Sequence, residues 1–253
     1  MKKVIYAIGD IHGRLDCLTY LKKKISEDST KYDDKMVVYL GDYVDRGPHS
    51  KEVIDNLIDE PIPGFKEEYI KGNHEDFMLS AMNNDATWNE IVSWLYHGGL
   101  RTLQSYGVDV LELIEKVPNI TMEYYGQDTG IRTRVKEKLQ PILIEVVGGK
   151  QIDFLNSLKL FHQEPGYIFV HAGVNPNKPF SEQTPKDLMW IRNEFLYSDK
   201  NYGVKIVHGH TPIDKVDIRS NRINVDTLAF DTSILSAIAL TNGEEYVINT
   251  KFM

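Results

Sequence analysis

The sequence predicts an α/β fold, on three observations. Short apolar, β-branched runs at VIYAIG (4–9), MVVYLG (36–41) and EYIKG (68–72) each end in glycine and read as buried strands. Between them leucine, valine and isoleucine recur at helical spacing, which makes a βαβαβ pattern. Strand-like runs then return at YIFVHAG (167–173), VKIVHGH (204–210), RINVD (222–226) and SILSAIAL (233–240).

Taken in order, the strand at 4–9 is followed by a helix carrying Leu15, Leu18, Leu21 and Ile25 on one face. The strand at 36–41 is followed by a second helix with Val53, Ile54, Leu57 and Ile58, and the strand at 68–72 closes the unit. From about 88 to 143 the chain reads as helices interrupted at HGG (97–99), SYG (105–107) and YYGQDTG (124–130), a helical insertion packed over or beside the sheet. The later strands are closely spaced and need not be parallel.

A chain of 253 residues, 42% of them hydrophobic, is long enough for one substantial core, so a single domain over 1–253 is expected. A net charge of -8 argues against a surface built to neutralise nucleic-acid phosphates. The single cysteine, Cys17, forms no intramolecular disulfide and reads as a small buried residue. The start MKKVIYAIGD has the basic flank of a signal peptide, but Gly9-Asp10 interrupts the apolar run, and no later stretch approaches the ~18 apolar residues of a membrane span. A cytoplasmic location without membrane partners is expected; the oligomeric state stays open.

The strand ends carry residues with chemistry: Gly9-Asp10-Ile11-His12-Gly13, Gly41-Asp42, Gly72-Asn73-His74-Glu75, His171-Ala172-Gly173 and His208-Gly209-His210-Thr211. In an α/β sheet, ligands bind at the carboxyl ends of strands, so these residues would converge on one rim. Mixed Asp, Asn and His donors suit Mn²⁺, Fe or Zn²⁺ better than Ca²⁺, and the missing cysteines argue against a closed structural zinc. Six candidate ligands exceed the need of one catalytic ion, whereas two ions about 3.5–4 Å apart would use them all. Asp10, His12 and Asp42 are assigned to one metal, and Asp42, Asn73, His171 and His210 to the other.

Such a centre draws in a phosphoryl dianion. Arg46 offers a planar fork to phosphate oxygens, and Arg192 in MWIRNEF is a second candidate clamp. His74 adjoins a ligand and can protonate a leaving oxygen, with Asp45 orienting it and favouring the imidazolium. Other readings exist for the separate pieces. GDIHG alone could be a tight turn with a helix cap, Asn73 could be an N-cap with Asp76 completing the capping box, and Arg192 could be a salt-bridged surface residue. In an extended HGH segment His208 would share a face with His210 and stand at the site edge. His49, His97 and His162 read as structural or solvated. The basic run Arg132, Arg134, Lys136 and Lys138 could meet an acidic substrate or form a solvated helix face.

At these residues the chain resembles the calcineurin-like metallophosphoesterases, specifically the phosphoprotein-phosphatase branch, whose signatures GDxHG, GDxVDRG and GNHE stand at 9–13, 41–47 and 72–75. HAG at 171–173 and GHT at 209–211 match as well. The resemblance implies two mixed sheets packed as a sandwich with helices outside, two divalent metals at one rim, and hydrolysis by a metal-bridging hydroxide. It also implies the ligand, arginine and acid-pair roles above, with His210 rather than His208 as the ligand. The expected substrate is a phosphorylated serine or threonine protein, with phosphotyrosine as a further candidate; the alternative is symmetrical hydrolysis of diadenosine tetraphosphate by the sister branch, which typically has Ala where Asp45 stands and Asp where Glu75 stands. Two departures are visible. Lys71 stands where the family often has Arg, and Leu228 follows Asp226-Thr227 where the family usually has Gly.

Overall fold

The computed structural model describes residues 2–83, 85–109 and 129–251, without the side chains of 129–136 and 138. The basic run at 132–138 and most of the YYGQDTG interruption therefore lie outside the described side chains or residues.

The first expected strand is β1 (Lys3–Ile8), and it pairs in parallel with β2 (Asp34–Tyr39), which pairs in parallel with β3 (Lys66–Tyr69). The connections are α1 (Leu15–Asp28) and α2 (Ser50–Asp59). In the later part of the chain, β4 (Phe161–Glu164), β5 (Tyr167–Val170), β6 (Lys205–His208), β7 (Asp217–Ile218) and β8 (Arg222–Asn224) form a second sheet in the order β4-β5-β6-β8-β7. β9 (Ser236–Thr241) returns to the first sheet antiparallel to β1, with β10 (Glu245–Asn249) outside it, giving the order β10-β9-β1-β2-β3. The result is two mixed five-stranded sheets flanked by helices, as the resemblance implies.

Side chains alternate along a strand, and here both faces are covered. Ile5 and Ala7 of β1, with Met36 and Val38 of β2, meet Phe169, Val207 and Ile223 of the second sheet in the layer between the sheets. Val4, Tyr6 and Ile8, with Val37 and Tyr39, turn the other way onto Leu18, Leu21 and Ile25 of α1 and Val53 and Leu57 of α2. A strand buried on both faces must be apolar throughout, which is why these runs are continuous rather than alternating. Cys17 is fully buried on α1.

α3 (Asn73–Met82) follows β3, and the helical insertion begins after it with α4 (Trp88–Trp94), a π-type turn at Leu95–Gly99, and α5 (Leu100–Ser105). It ends with α6 (Thr129–Val147) and α7 (Gly149–Ser157), which pack Leu139, Leu143, Val147 and Leu155 into the helix-side core. Among the described residues no helix is long and apolar enough to cross a membrane.

Candidate metal centre

In each sheet three parallel strands, β1-β2-β3 and β5-β6-β8, run the same way. Their carboxyl ends meet at one rim, tied across the sheets where the His171 ring bonds the Leu40 carbonyl at 2.8 Å and the His210 N–H donates to both Asp10 oxygens at 3.1 Å. Gly209 allows this approach, because a Cβ there would lie 2.0 Å from Asp10 Oδ1.

Two groups of buried donors stand at the rim. Atoms of His12, Asp42 and His74 lie within 4.8 Å of one another, as do atoms of Asp42, His171 and His210. Asp42 belongs to both. Asn73 joins the second group, its Oδ1 2.9 Å from His171 Nε2, while Asp10 is turned against Gly209 and His210. Nine of the ten residues expected at the site, Arg192 being the exception, are at most intermediate in exposure.

The donor chemistry fits divalent cations. His12 Nδ1 donates to the Val44 carbonyl at 2.8 Å, and His171 Nδ1 donates to Leu40. Each imidazole therefore turns an Nε2 lone pair inward, the arrangement that orients metal-binding histidines. His171 Nε2 faces Asn73 Oδ1 at 2.9 Å, His210 Nδ1 at 3.2 Å and Asp42 Oδ1 at 3.4 Å, so its lone pair points into a cluster of nitrogen and oxygen donors. The buried His210 Nε2 has no partner. Burial holds His210 down to about 2, with the His171 charge adding to the effect, and burial likewise lowers His12 and His171.

The carboxylates carry the complementary demand. Burial, then Asp226 and Asp42, push Asp10 well above the usual range, and burial raises Asp226 to about 6. Burial opposes the charge of Asp42 too, but His171, His74 and His12 outweigh it and hold its carboxyl low. A buried cluster of like charges of this kind is relieved by bound cations.

Arg46 spans the first group, donating to His12 Nε2 at 3.0 Å and His74 Nε2 at 2.9 Å, with its guanidinium 5.1 Å above the Phe230 ring. Arg192 is exposed and donates to Thr211 at 3.2 Å. His74 Nδ1 donates to Asp45 Oδ2 at 2.7 Å. Burial works against the His74 cation, yet Asp42 and Asp45 outweigh it and raise its pKa.

Several local expectations are corrected. The N-cap of α3 is Gly72, so Asn73 is the first helical residue, and Glu75 rather than Asp76 closes back onto the cap through the Gly72 N–H at 2.9 Å. The HGH segment is not extended: β6 ends at His208 and His210 sits at φ 65°. His208 consequently leaves the site edge and packs edge-on to Phe195 at 5.0 Å, with burial lowering it to about 3. His97 is exposed but stacks on Phe77 beside the centre.

Residues without an assigned role in the sequence reading complete the frame. Glu75 accepts the N–H groups of Asp42 (2.9 Å), Tyr43 (2.7 Å) and Val44 (3.3 Å), which fixes the loop carrying the shared aspartate. Trp94 and Thr102, from the insertion, donate to Asp45 Oδ1 at 3.1 and 2.6 Å. The acid at the third position after Gly72 was a readable signal for Glu75. Nothing local marks Trp94 or Thr102.

A family model for calcineurin-like phosphoesterases matches residues 3–234. An asymmetrical bis(5'-nucleosyl)-tetraphosphatase of Halalkalibacterium halodurans is 36% identical over 227 residues, covering 87% of this chain and 83% of that protein. A serine/threonine-protein phosphatase of Arabidopsis thaliana is 30% identical over 161 residues, which is 49% of this chain and only 15% of that much longer protein. Among solved structures, a putative diadenosine tetraphosphatase superposes with TM-score 0.57 at 18% identity, over 99% of this chain and 95% of the other.

Proposed function

This chain belongs to the calcineurin-like phosphoesterases, and we propose that it hydrolyses phosphate monoesters of serine and threonine side chains at a two-metal centre. The observation that carries the reading is the buried His74–Asp45 pair, 2.7 Å apart, with Asp45 held in turn by Trp94 and Thr102. An alkoxide is a poor leaving group and needs a proton as it departs, and an oriented imidazolium supplies one near neutral pH.

The residues that would hold the ions are Asp10, His12 and Asp42 on one side and Asp42, Asn73, His171 and His210 on the other. Divalent ions bound there supply Lewis acidity toward the phosphoryl group and lower the pKa of the attacking water; Mn²⁺ best suits the donor set, with Fe or Zn²⁺ as alternatives. Arg46 turns its fork from the two imidazoles to phosphate oxygens, which frees His74 Nε2 to carry the proton. Arg192 approaches from the open side and opposes charge developing on the same group. Asp45 keeps the His74 ring aimed and its cation favoured.

The relative with the broad match favours a second reading, hydrolysis of a dinucleoside tetraphosphate. Metal-stripped protein reloaded with Mn²⁺ and given a phosphoserine peptide and diadenosine tetraphosphate at matched concentrations separates the two. Faster phosphate release from the peptide is expected. Faster nucleotide release would overturn the first reading in favour of the second, and two ADP rather than unequal nucleotides would mark symmetrical cleavage. Within the first reading, replacing His74 with Asn slows alkyl phosphate hydrolysis more than nitrophenyl phosphate hydrolysis; equal losses count against the acid role.

A further inference from the structure

We propose that Phe230 is a positioning residue for phosphate binding: its ring holds the Arg46 guanidinium at the mouth of the centre once the two imidazoles that now hold it are engaged elsewhere. The inference rests on the reading of Arg46 as a phosphate clamp, and the ring acts through Arg46 rather than on the substrate.

Among the described residues the Arg46 side chain has two hydrogen bonds, to His12 Nε2 at 3.0 Å and to His74 Nε2 at 2.9 Å. Both use lone pairs that the working site needs. His12 Nδ1 is bound to the Val44 carbonyl, which leaves Nε2 as the atom for a metal. His74 Nδ1 is bound to Asp45, which leaves Nε2 to carry the proton for the leaving oxygen. A guanidinium has five donors and no acceptor, so neither imidazole can keep it when the site is in use. Phe230 is the contact that does not compete, its ring centroid 5.1 Å from Arg46 Cζ. The attraction of a cation to a ring face depends little on where its N–H groups point, so the fork can turn to phosphate oxygens without leaving the ring. A long side chain placed beforehand in this way loses less rotamer freedom when phosphate binds.

The ring is itself held in place. Phe230 lies on the helical turn Ala229–Thr232, is half-buried, and meets the His12 imidazole edge-on at 5.6 Å and 89°. The turn is tied at both ends. The Ala229 carbonyl accepts Arg14 Nη1 at 2.9 Å, while Asp16 binds the other two guanidinium nitrogens of Arg14 at 2.8 and 2.6 Å. The Thr232 hydroxyl donates to the Thr227 carbonyl at 2.8 Å. Core packing does not explain this position, because Phe230 joins none of the hydrophobic clusters among the described residues. The loops that follow β1, β2 and β8 supply Arg14, Arg46 and Phe230, so the arrangement joins both sheets over one guanidinium.

The test is a double-mutant cycle, read by calorimetry of inorganic phosphate binding to the Mn²⁺-loaded protein, with Mn²⁺ titration of the metal-stripped protein alongside. Phe230→Leu is expected to weaken phosphate binding about three- to tenfold, the range of a partly desolvated cation–π contact, whereas Phe230→Tyr keeps the ring and should bind no more than about twofold more weakly than the parent. Arg14→Gln, which releases the turn, should weaken binding in the same direction. In an Arg46→Ala background Phe230→Leu should have no further effect, and Phe230→Leu alone should leave Mn²⁺ affinity unchanged. A loss that persists without Arg46, weakened Mn²⁺ binding in Phe230→Leu, or a Phe230→Tyr protein as weak as Phe230→Leu would overturn the assignment, as would an affinity unmoved in both Phe230→Leu and Arg14→Gln. Turnover of a phosphoserine peptide by the parent protein is measured in parallel. A positive cycle without that turnover keeps the role of Phe230 and removes the substrate class, turnover without phosphate binding does the reverse, and loss of both overturns both.

Discussion

Replacing Thr102 with valine removes one hydroxyl and little volume from a fully buried position. That hydroxyl donates to Asp45 Oδ1 at 2.6 Å and accepts from the Asp45 N–H at 2.9 Å. The N–H keeps a partner, because Ser50 Oγ accepts it at 3.0 Å, and Oδ1 keeps the Trp94 indole at 3.1 Å. The loss is therefore the hydrogen bond to a charged acceptor, about 1.5–3 kcal/mol, together with the contact of the hydroxyl with Ser50 Oγ at 3.0 Å. For a chain of this length it lowers Tm by roughly 3–12 °C. Asp45 is then held by one donor fewer, and the His74 ring it orients loses aim, so turnover of an alkyl phosphate should fall about tenfold and that of nitrophenyl phosphate less. Thr102→Ser retains the hydroxyl and should recover most of both losses. Thermal melts and kcat on the two substrates decide the matter. A T102V protein as stable as the parent, or a T102S protein damaged equally, would refute the proposed hold on Asp45.

Three further outcomes are expected. Asp10→Asn should leave the circular dichroism spectrum intact and remove most turnover, and a metal titration should show weakened binding; unchanged turnover would sink the two-metal assignment. Gly98 sits at φ 123°, and a Cβ there would lie 2.7 Å from the Arg46 backbone nitrogen and 3.0 Å from its Cγ, so Gly98→Ala should displace Arg46 and lower kcat/KM by about 10–100-fold; a normal value would refute this dependence. Asp28 accepts the hydroxyls of Tyr6 and Tyr246, each at 2.6 Å. Burial opposes its charge, but the Tyr246 and Tyr6 hydroxyls outweigh that and hold its carboxyl below the usual range. A depressed folded pKa stabilises fully above about pH 4 and loses that contribution as the pH falls through it. Asp28→Asn should lower stability at pH 6 and flatten its decline between pH 5 and 3 in urea titrations; parallel curves for the two proteins would contradict this.

The division between what could be read and what could not reflects the range of the forces involved. Strands β1, β2, β5 and β6 were legible because each is buried on both faces and must be apolar along its length. β4, with the sequence FHQE and exposed or half-buried side chains, carries no such signal, and its place at a sheet edge depends on β5. The ligand types at the strand ends were legible because chemistry restricts them. Trp94 and Thr102 were not, since only the packing of the insertion on α2 and α3 brings them to Asp45.

The backbone of the site was the least legible part, and it joins the fold to the function. His12, Asp42, Asp45, Arg46 and His210 all adopt positive φ, a conformation that costs a residue such as Arg46 about 1–2 kcal/mol and that no glycine in the sequence announces at these positions. Leu228 shows the same effect from the opposite side. It departs from the glycine usual at that position in the family, and it sits at φ 58° with its N–H on Asp226 at 2.9 Å, so the left-handed turn persists without the residue that adopts it freely. Strain of this kind holds only where the surroundings over-determine the loop. Here they do: Glu75 takes the N–H groups of Asp42, Tyr43 and Val44, Ser50 and Thr102 take that of Asp45, and the Asp42 carbonyl takes those of Ile11 and His12. The side chains that make the centre reactive are aimed by these backbone bonds, so a substitution in Glu75 or Thr102 reaches the chemistry without touching a ligand.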